Sequence, residues 1–284
     1  MYRLLDKSAY EPLFKWPGGK RRLVKKLCSL LPKDYSSYHE PFFGGGALFF
    51  YLHPACPVYL SDACADLIAA YQVVRDQPLA IIKKLSYLKN TKDDYYRIRS
   101  LDRDAVAWLK MSKEDKAARF IYLNRTCFNG LYRVNKDGFF NTPYGCYPYM
   151  DAIPPGRIMS ASSVLNVADT YIFCSDFAES VKGGVRVEGG FFYLDPPYDP
   201  VSRTSSFQEY QPGGFPEKDL YRLRAFCDYL TSRGAKFLLS ESRTARVLEA
   251  FRGYHIETVS APRSIAAKSS SRKKVVEVVI RNYV

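Results

Sequence analysis

The segment Gly189-Gly190-Phe191-Phe192-Tyr193-Leu194 runs directly into Asp195-Pro196-Pro197-Tyr198. The large apolar residues after the glycines read as a buried strand, and that strand has to stop at Asp195. Two prolines in a row fix φ, remove backbone donors and hold the preceding residue out of the helical region. A carboxylate is thereby delivered to the C-terminal end of a strand, the edge at which open α/β sheets gather their ligands. The arrangement suits an exocyclic amino group on a nucleobase, such as N6 of adenine. That nitrogen is a weak nucleophile because its lone pair is delocalised into the ring. Asp195 and the Pro196 carbonyl can accept its two hydrogens, and Tyr198 can stack on the base. The tetrapeptide alone suits a cytosine N4 or an RNA adenine equally well.

Strand and helix patterns alternate at both ends of the chain, which predicts an α/β fold with a mainly parallel sheet. Strands are expected at 38–43, 58–60, 170–174, 190–194, 236–239, 254–259 and 275–280. Helices are expected at 19–31, through Tyr51 after the glycine cluster, at 65–74 and at 216–233. The last of these opens on Pro216 and stops at Gly234. Residues 81–164 have a different character and read as an inserted, mainly helical unit. They are charged and helical at 83–116, then irregular through Pro154-Pro155-Gly156, with the aromatics gathered from Arg119 to Met150. Residues 1–80 and 165–284 read as one catalytic domain.

Two further motifs belong to that domain. In Glu40-Pro41-Phe42-Phe43-Gly44-Gly45-Gly46 the glycines permit close approach of a nucleotide-like ligand. Phe49 stands where a dinucleotide fingerprint needs its third glycine. Asp62 ends the next strand and suits a ribose diol. The pair points to an adenosyl ligand without a pyrophosphate. Phe14-Lys15-Trp16-Pro17-Gly18-Gly19-Lys20 is not a phosphate loop, because Phe14 and Arg21 replace the required Gly and Ser/Thr. Trp16 can form a wall of a site, and Lys20 can meet a carboxylate.

The insert mixes aromatics (Phe120, Tyr122, Phe128, Tyr132, Phe139, Phe140, Tyr144, Tyr147) with Arg119, Arg125, Arg133 and Lys136. Arg and Asn on loops can read base edges, and an aromatic can fill the gap left by an extruded base. The same composition also suits a small aromatic core with a solvated basic face. Residues 263–274 carry only basic charges, as a phosphate-facing loop would. The chain holds 42 Lys and Arg against 29 Asp and Glu, a formal charge of +13 that favours a polyanionic partner. The start lacks the apolar core of a signal peptide, and no window has the length of a membrane span. Seven scattered cysteines and three histidines without ligand spacing read as buried thiols in a reducing cytoplasm, with no structural metal.

In this order the segments resemble the Dam-type DNA adenine-N6 methyltransferases, the D12 class in its α arrangement. The resemblance is carried by Lys15 to Lys20, Glu40 to Gly46, Asp62 with Asp66-Leu67, Tyr122-Leu123-Asn124-Arg125, Phe128 to Arg133, Phe140-Asn141-Thr142-Pro143, Asp195 to Tyr198 and Arg263-Ser264-Ile265. It implies a Rossmann-like S-adenosylmethionine-dependent methyltransferase sheet with an inserted target-recognition subdomain. It implies transfer of a methyl group from S-adenosyl-L-methionine to N6 of a flipped-out adenine in double-stranded DNA, with GATC as the family's common target. Asp195, Pro196, Pro197 and Tyr198 would be catalytic. Trp16, Lys20, Glu40, Phe42, Gly44, Asp62, Asp176, Phe177 and Asp195 would hold the cofactor. Lys15, Arg125, Phe128, Asn129, Leu131, Arg133, Asn135, Pro143 and Arg272 would meet DNA. Of these, Lys15, Leu131, Arg133 and Pro143 match the residues that read the target, and Phe128 matches an aromatic that inserts at the vacated base. Cys146 departs from the pattern, which has a basic residue there. Residues 199–215 read as a lid. A monomer is expected, without metal or membrane, in a bacterial or phage-type cytoplasm beside the nucleoid. The rival reading is a DNA-binding module that keeps an inactive methyltransferase core.

Overall fold

The run Phe191-Phe192-Tyr193-Leu194 is apolar throughout because it serves two cores at once. Phe191 and Tyr193 enter one hydrophobic cluster, and Phe192 and Leu194 enter the other. A strand covered on both faces cannot alternate with polar residues. The computed structural model describes residues 11–147, 153–167, 169–198, 216–261 and 275–284. From the N-terminal side come α1 (Val24–Cys28), β1 (Tyr38–Glu40), α2 (Ala47–Leu52), β2 (Val58–Asp62) and α3 (Ala65–Asp76). Then follow α4 (Pro78–Ser86), α5 (Lys92–Arg99), α6 (Ala105–Lys110), α7 (Lys113–Thr126) and α8 (Pro155–Leu165). The chain ends with β3 (Thr170–Cys174), β4 (Phe191–Leu194), α9 (Glu217–Ser232), β5 (Lys236–Ser242), α10 (Ala245–Ala250), β6 (His255–Ala261) and β7 (Val275–Arg281).

The strands form one sheet in the order β3-β2-β1-β4-β5-β7-β6. All pairings are parallel except those of β7, which runs against both β5 and β6. This is the mixed, Rossmann-like sheet that the sequence leads one to expect. The strand order turns back between β1 and β4, and such a reversal leaves a crevice beyond their C-terminal ends. Helices α3, α7 and α8 pack over one face, α9 and α10 over the other. Rings of Tyr171, Tyr59, His39 and Phe192 stack in register across β3, β2, β1 and β4. Burial holds the His39 imidazole down at about 3, so it stays neutral inside that ladder.

Four expectations need correction. Residues 19–31 do not form one helix: a 3-10 turn, Lys20–Arg22, precedes the short α1. Lys20 is pulled inward and only 4% exposed, which a continuous amphipathic helix with a solvated basic face would not allow. The region after Arg119 is not irregular at its start, where α7 continues to Thr126, nor at its end, where Pro155 opens α8. Helix α10 was not expected at all. The cysteines are not uniformly buried either: Cys127 and Cys227 are, whereas Cys146 and Cys174 are exposed, and all seven are free thiols.

Much of the aromatic content of 95–140 serves a separate hydrophobic cluster, formed by Tyr95, Ile98, Tyr122, Leu123, Cys127 and Phe140. Arg119 sits at its edge, 5% exposed. Its guanidinium pairs with Asp102 at 2.7 Å and donates to the carbonyls of Ile98 at 3.0 Å and Arg99 at 2.7 Å. It therefore closes the end of α5 and does not read bases. Removing one partner of a buried pair leaves an uncompensated charge and costs about 3–5 kcal/mol. Arg119→Leu is expected to lower the urea midpoint by a stability loss of about 3 kcal/mol with the slope unchanged. An unaltered midpoint would show that the pair does not support the insert.

Candidate active site

The C-terminal ends of the parallel strands carry the polar groups that the cores exclude. Glu40 ends β1, Asp62 ends β2, and Asp195 follows β4. At the centre, Lys20 Nζ lies 2.8 Å from Asp195 Oδ1. The same ammonium donates to the Gly18 carbonyl at 3.0 Å and lies 4.2 Å from the centre of the Tyr198 ring. Burial pushes Asp195 up to about 6, and the Lys20 charge works against that rise. Pro196 is buried, Pro197 exposed and Tyr198 half-buried, so only Pro197 of the tetrapeptide faces solvent fully. The Tyr198 hydroxyl donates to Glu277 Oε2 at 2.8 Å. Sequence reasoning missed Glu277, whose place between valines reads as an ordinary strand position.

The glycine turn after β1 is braced from three sides. Gly44 N donates to Asp62 Oδ2 at 2.9 Å, and the Tyr71 hydroxyl donates to the Gly44 carbonyl at 3.1 Å. Gly44 has a φ of +47°, and a Cβ there would stand 2.6 Å from Trp16 Cδ1. Only glycine lets the indole lie on this turn. The other Asp62 oxygen accepts from Cys64 N at 2.9 Å, so the carboxylate is fixed in orientation. Glu40 is buried, and its Oε1 accepts from the Tyr38 hydroxyl and from Phe49 N. Burial pushes the Glu40 carboxyl up to about 8. Its visible work is to anchor the first turn of α2. Beyond β3, Asp176 Oδ1 accepts from Ala178 N at 3.0 Å and pairs with Arg222 at 2.7 Å. Phe177 is buried and stacked on Phe42, with ring centres 5.0 Å apart.

The loops of the insert meet this site through the segment around Lys15. Asn124 Oδ1 accepts from Lys15 N at 2.9 Å, and Asn124 Nδ2 donates to the Lys15 carbonyl at 2.8 Å. Gly130 is equally tight, since a Cβ there would stand 2.6 Å from that of Lys15. Trp16 stacks on Tyr132 with centres 5.9 Å apart, and the Tyr132 hydroxyl donates to Asp66 on α3 at 2.7 Å. Lys15 Nζ lies 4.9 Å from the ring centre of Tyr147. Phe128 is 50% exposed, unusual for so large an apolar side chain, and its N–H donates to the Pro143 carbonyl at 2.9 Å. Asn129 has φ +55° and donates its N–H to the Tyr147 hydroxyl at 2.9 Å. Leu131 is half-buried between Phe128 and the exposed Arg133. Arg133 Nε donates to Asn141 Oδ1 at 2.8 Å.

Asn135 Oδ1 accepts from Asp137 N and Phe139 N, which makes it the organiser of a tight turn. Arg125 is half-buried in the last turn of α7. Lys15, Phe128, Asn129 and Pro143 thus come together, whereas Asn135 lies in a turn of its own. Arg272, the stretch 263–274 and the segment 199–215 lie outside the described residues. Among the described residues, no group of three or more His, Cys, Asp or Glu could hold a metal ion. Among the same residues, no helix is long and apolar enough to cross a membrane.

Residues 16–265 match the family model described as D12 class N6 adenine-specific DNA methyltransferase. The chain is 40% identical over 280 residues to the Type II methyltransferase M1.LlaDCHI of Lactococcus lactis subsp. cremoris, covering 98% of this chain and 97% of that one. It is 37% identical to the Type II methyltransferase M.MjaIII of Methanocaldococcus jannaschii, covering 96% and 99%. It is 31% identical to a DNA adenine methylase of Vibrio cholerae, covering 93% of each.

The contact between Gly44 and Trp16 can be tested by fluorescence. The chain has two tryptophans, so Trp108→Phe leaves Trp16 as the only indole. In that background Gly44→Ala is expected to displace the ring and shift its emission maximum. An emission spectrum identical to that of the Gly44 form would mean that the indole does not lie on the turn.

Proposed function

Because the chain belongs to the D12 class of N6 adenine-specific DNA methyltransferases, we propose that it methylates an adenine extruded from duplex DNA within GATC. The family implies use of S-adenosylmethionine. One observation carries the reading: the carboxylate of Asp195 stands at the end of β4, held by Lys20 at 2.8 Å and flanked by the ring of Tyr198.

The donor set beside the crevice fits this cofactor. It offers carboxylates for hydroxyl and ammonium groups, an indole wall on a side-chain-free turn, and no phosphate loop. Trp16, Gly44 and Asp62 would line one end. Asp176, Phe177 and Phe42 would take the adenine ring, with Glu40 supporting the turn and Lys20 and Asp195 facing the reacting end. When bound, the cofactor supplies a methyl group already activated on its sulfonium. Asp195 and the Pro196 carbonyl accept the hydrogens of N6, so its lone pair is turned away from them. The Asp195 charge also favours the positive charge that grows on N6 as the new bond forms. Lys20 keeps that carboxylate ionised despite its burial. Tyr198 holds the base by stacking, since chemistry on a base inside the duplex is sterically blocked.

Residues 81–164 would be the target-recognition unit. Arg133 uses Nε on Asn141, which leaves the terminal nitrogens for a guanine edge. Phe128 would fill the vacated space in the duplex, with Asn129, Leu131 and Pro143 beside it and Lys15 reaching in from the catalytic side. Arg125, Asn135 and Arg272 would support phosphate contacts. The enzyme would act as a monomer in the cytoplasm.

The target is tested with labelled cofactor and unmethylated plasmid, then digestion by GATC nucleases of opposite methylation sensitivity. Label without a change in cutting would rule out GATC, and absence of label would rule out the activity. Arg133→Ala is expected to lose about 1–3 kcal/mol of discrimination at one base position. An equal fall on every sequence would make Arg133 a phosphate contact.

The acid limb follows from Asp195. Its ionised form is the acceptor, and the pKa is raised to about 6, so the active form prevails above that value and is lost below it. Single-turnover rates are expected to fall as pH drops through about 6. Rates that stay level down to about pH 5 would remove Asp195 from the role.

A further inference from the structure

Strand β7 is the reversed member of the sheet, and its direction has a chemical effect. The parallel strands end at the site, whereas β7 begins there. Glu277, near the start of β7, pairs with Ser242 at the end of β5 and with Val259 near the end of β6. Its side chain is half-buried and accepts the Tyr198 hydroxyl at 2.8 Å.

Tyr198 is thereby held at both ends. Its backbone follows two prolines, and its hydroxyl is bound to a different strand. Between these points its ring meets the Lys20 ammonium at 4.2 Å, and that ammonium is bound to Asp195. A tyrosine with a loose hydroxyl could rotate away from a base presented to its face. One with its hydroxyl on a carboxylate acceptor is confined.

We propose that Glu277 is a positioning residue of the methyl-transfer reaction: it fixes the Tyr198 ring in the orientation that receives the target base. The proposal rests on the role given above to Tyr198. Its hold on the ring passes only through the Tyr198 hydroxyl, although its charge also acts on Asp195.

That restriction makes a double-mutant cycle decisive. Glu277→Ala is expected to lower kcat on an adenine-containing duplex by on the order of tenfold to a hundredfold, the span of one hydrogen bond to a charged group. The KM for S-adenosylmethionine should stay within about threefold of the unaltered protein, because the cofactor residues are untouched. Tyr198→Phe keeps the ring and removes the hydroxyl, so it should lose a similar factor. The double variant should lose no more than the larger single loss. Glu277→Gln retains an oxygen acceptor at the same place and should recover most of the rate. Losses that multiply in the double variant would overturn the proposal, as would full activity of Glu277→Ala. A loss shared by Gln and Ala, with a lowered unfolding midpoint in both, would also overturn it, as support of the fold only. If the unaltered protein places no methyl group on adenine, the functional reading itself fails. Multiplying losses in an active enzyme sink only the role of Glu277.

Discussion

The ion pair of Lys20 with Asp195 joins residues that are far apart in the chain, and much of the site leans on it. Taking an ammonium and a carboxylate out of water costs several kcal/mol per ion. The cost is offset here by a 2.8 Å contact, a second bond to the Gly18 carbonyl and the face of the Tyr198 ring. The loop that carries Lys20 is therefore drawn onto the end of β4. Once there, it sets Trp16 on Gly44 and against Tyr132, and it offers the backbone of Lys15 to Asn124. That loop thus joins the end of β4 to the residues after α7, and without the pair the glycine turn would lose its wall.

The strand order explains why so many carboxylates can crowd one edge. Side chains along β4 are committed to two hydrophobic clusters, and Glu40, Asp62 and Asp195 stand where β1, β2 and β4 end. Each acid there is then given separate partners. Glu40 is occupied by Tyr38 and Phe49, Asp62 by Gly44 and Cys64, and Asp195 by Lys20. The acids thereby differ in their protonation: burial pushes Glu40 up to about 8 but Asp195 only to about 6, since Lys20 opposes the rise.

The sheet was legible because strands that feed two cores have an unmistakable apolar pattern. The apolar run before Asp195 illustrates this. The tetrapeptide and the glycine turn were legible because proline and glycine act on the backbone directly. Failures came where a distant contact overrode local pattern. The stretch 19–31 looked like one amphipathic helix, and it is broken into a 3-10 turn and α1 with Lys20 turned inward onto Asp195. Arg119 and Tyr122 looked like parts of a base-reading surface and instead hold the insert together. Asn135 also organises a turn, a role that local pattern does not announce. Glu277 was invisible because a single acid among valines carries no signal until the direction of β7 is known.

The hairpin of β6 and β7 has one more consequence. Ala261 pairs with Val275, so the residues flanking 262–274 leave and rejoin the sheet side by side, at the end where Asp195 stands. Doubling the length of a connection closed in this way costs only about 0.6 kcal/mol. Evolution can thus lengthen, shorten or recharge that stretch while the register of Glu277 stays locked by its neighbours. The length and charge of that connection and the placing of Glu277 are thereby separately adjustable traits.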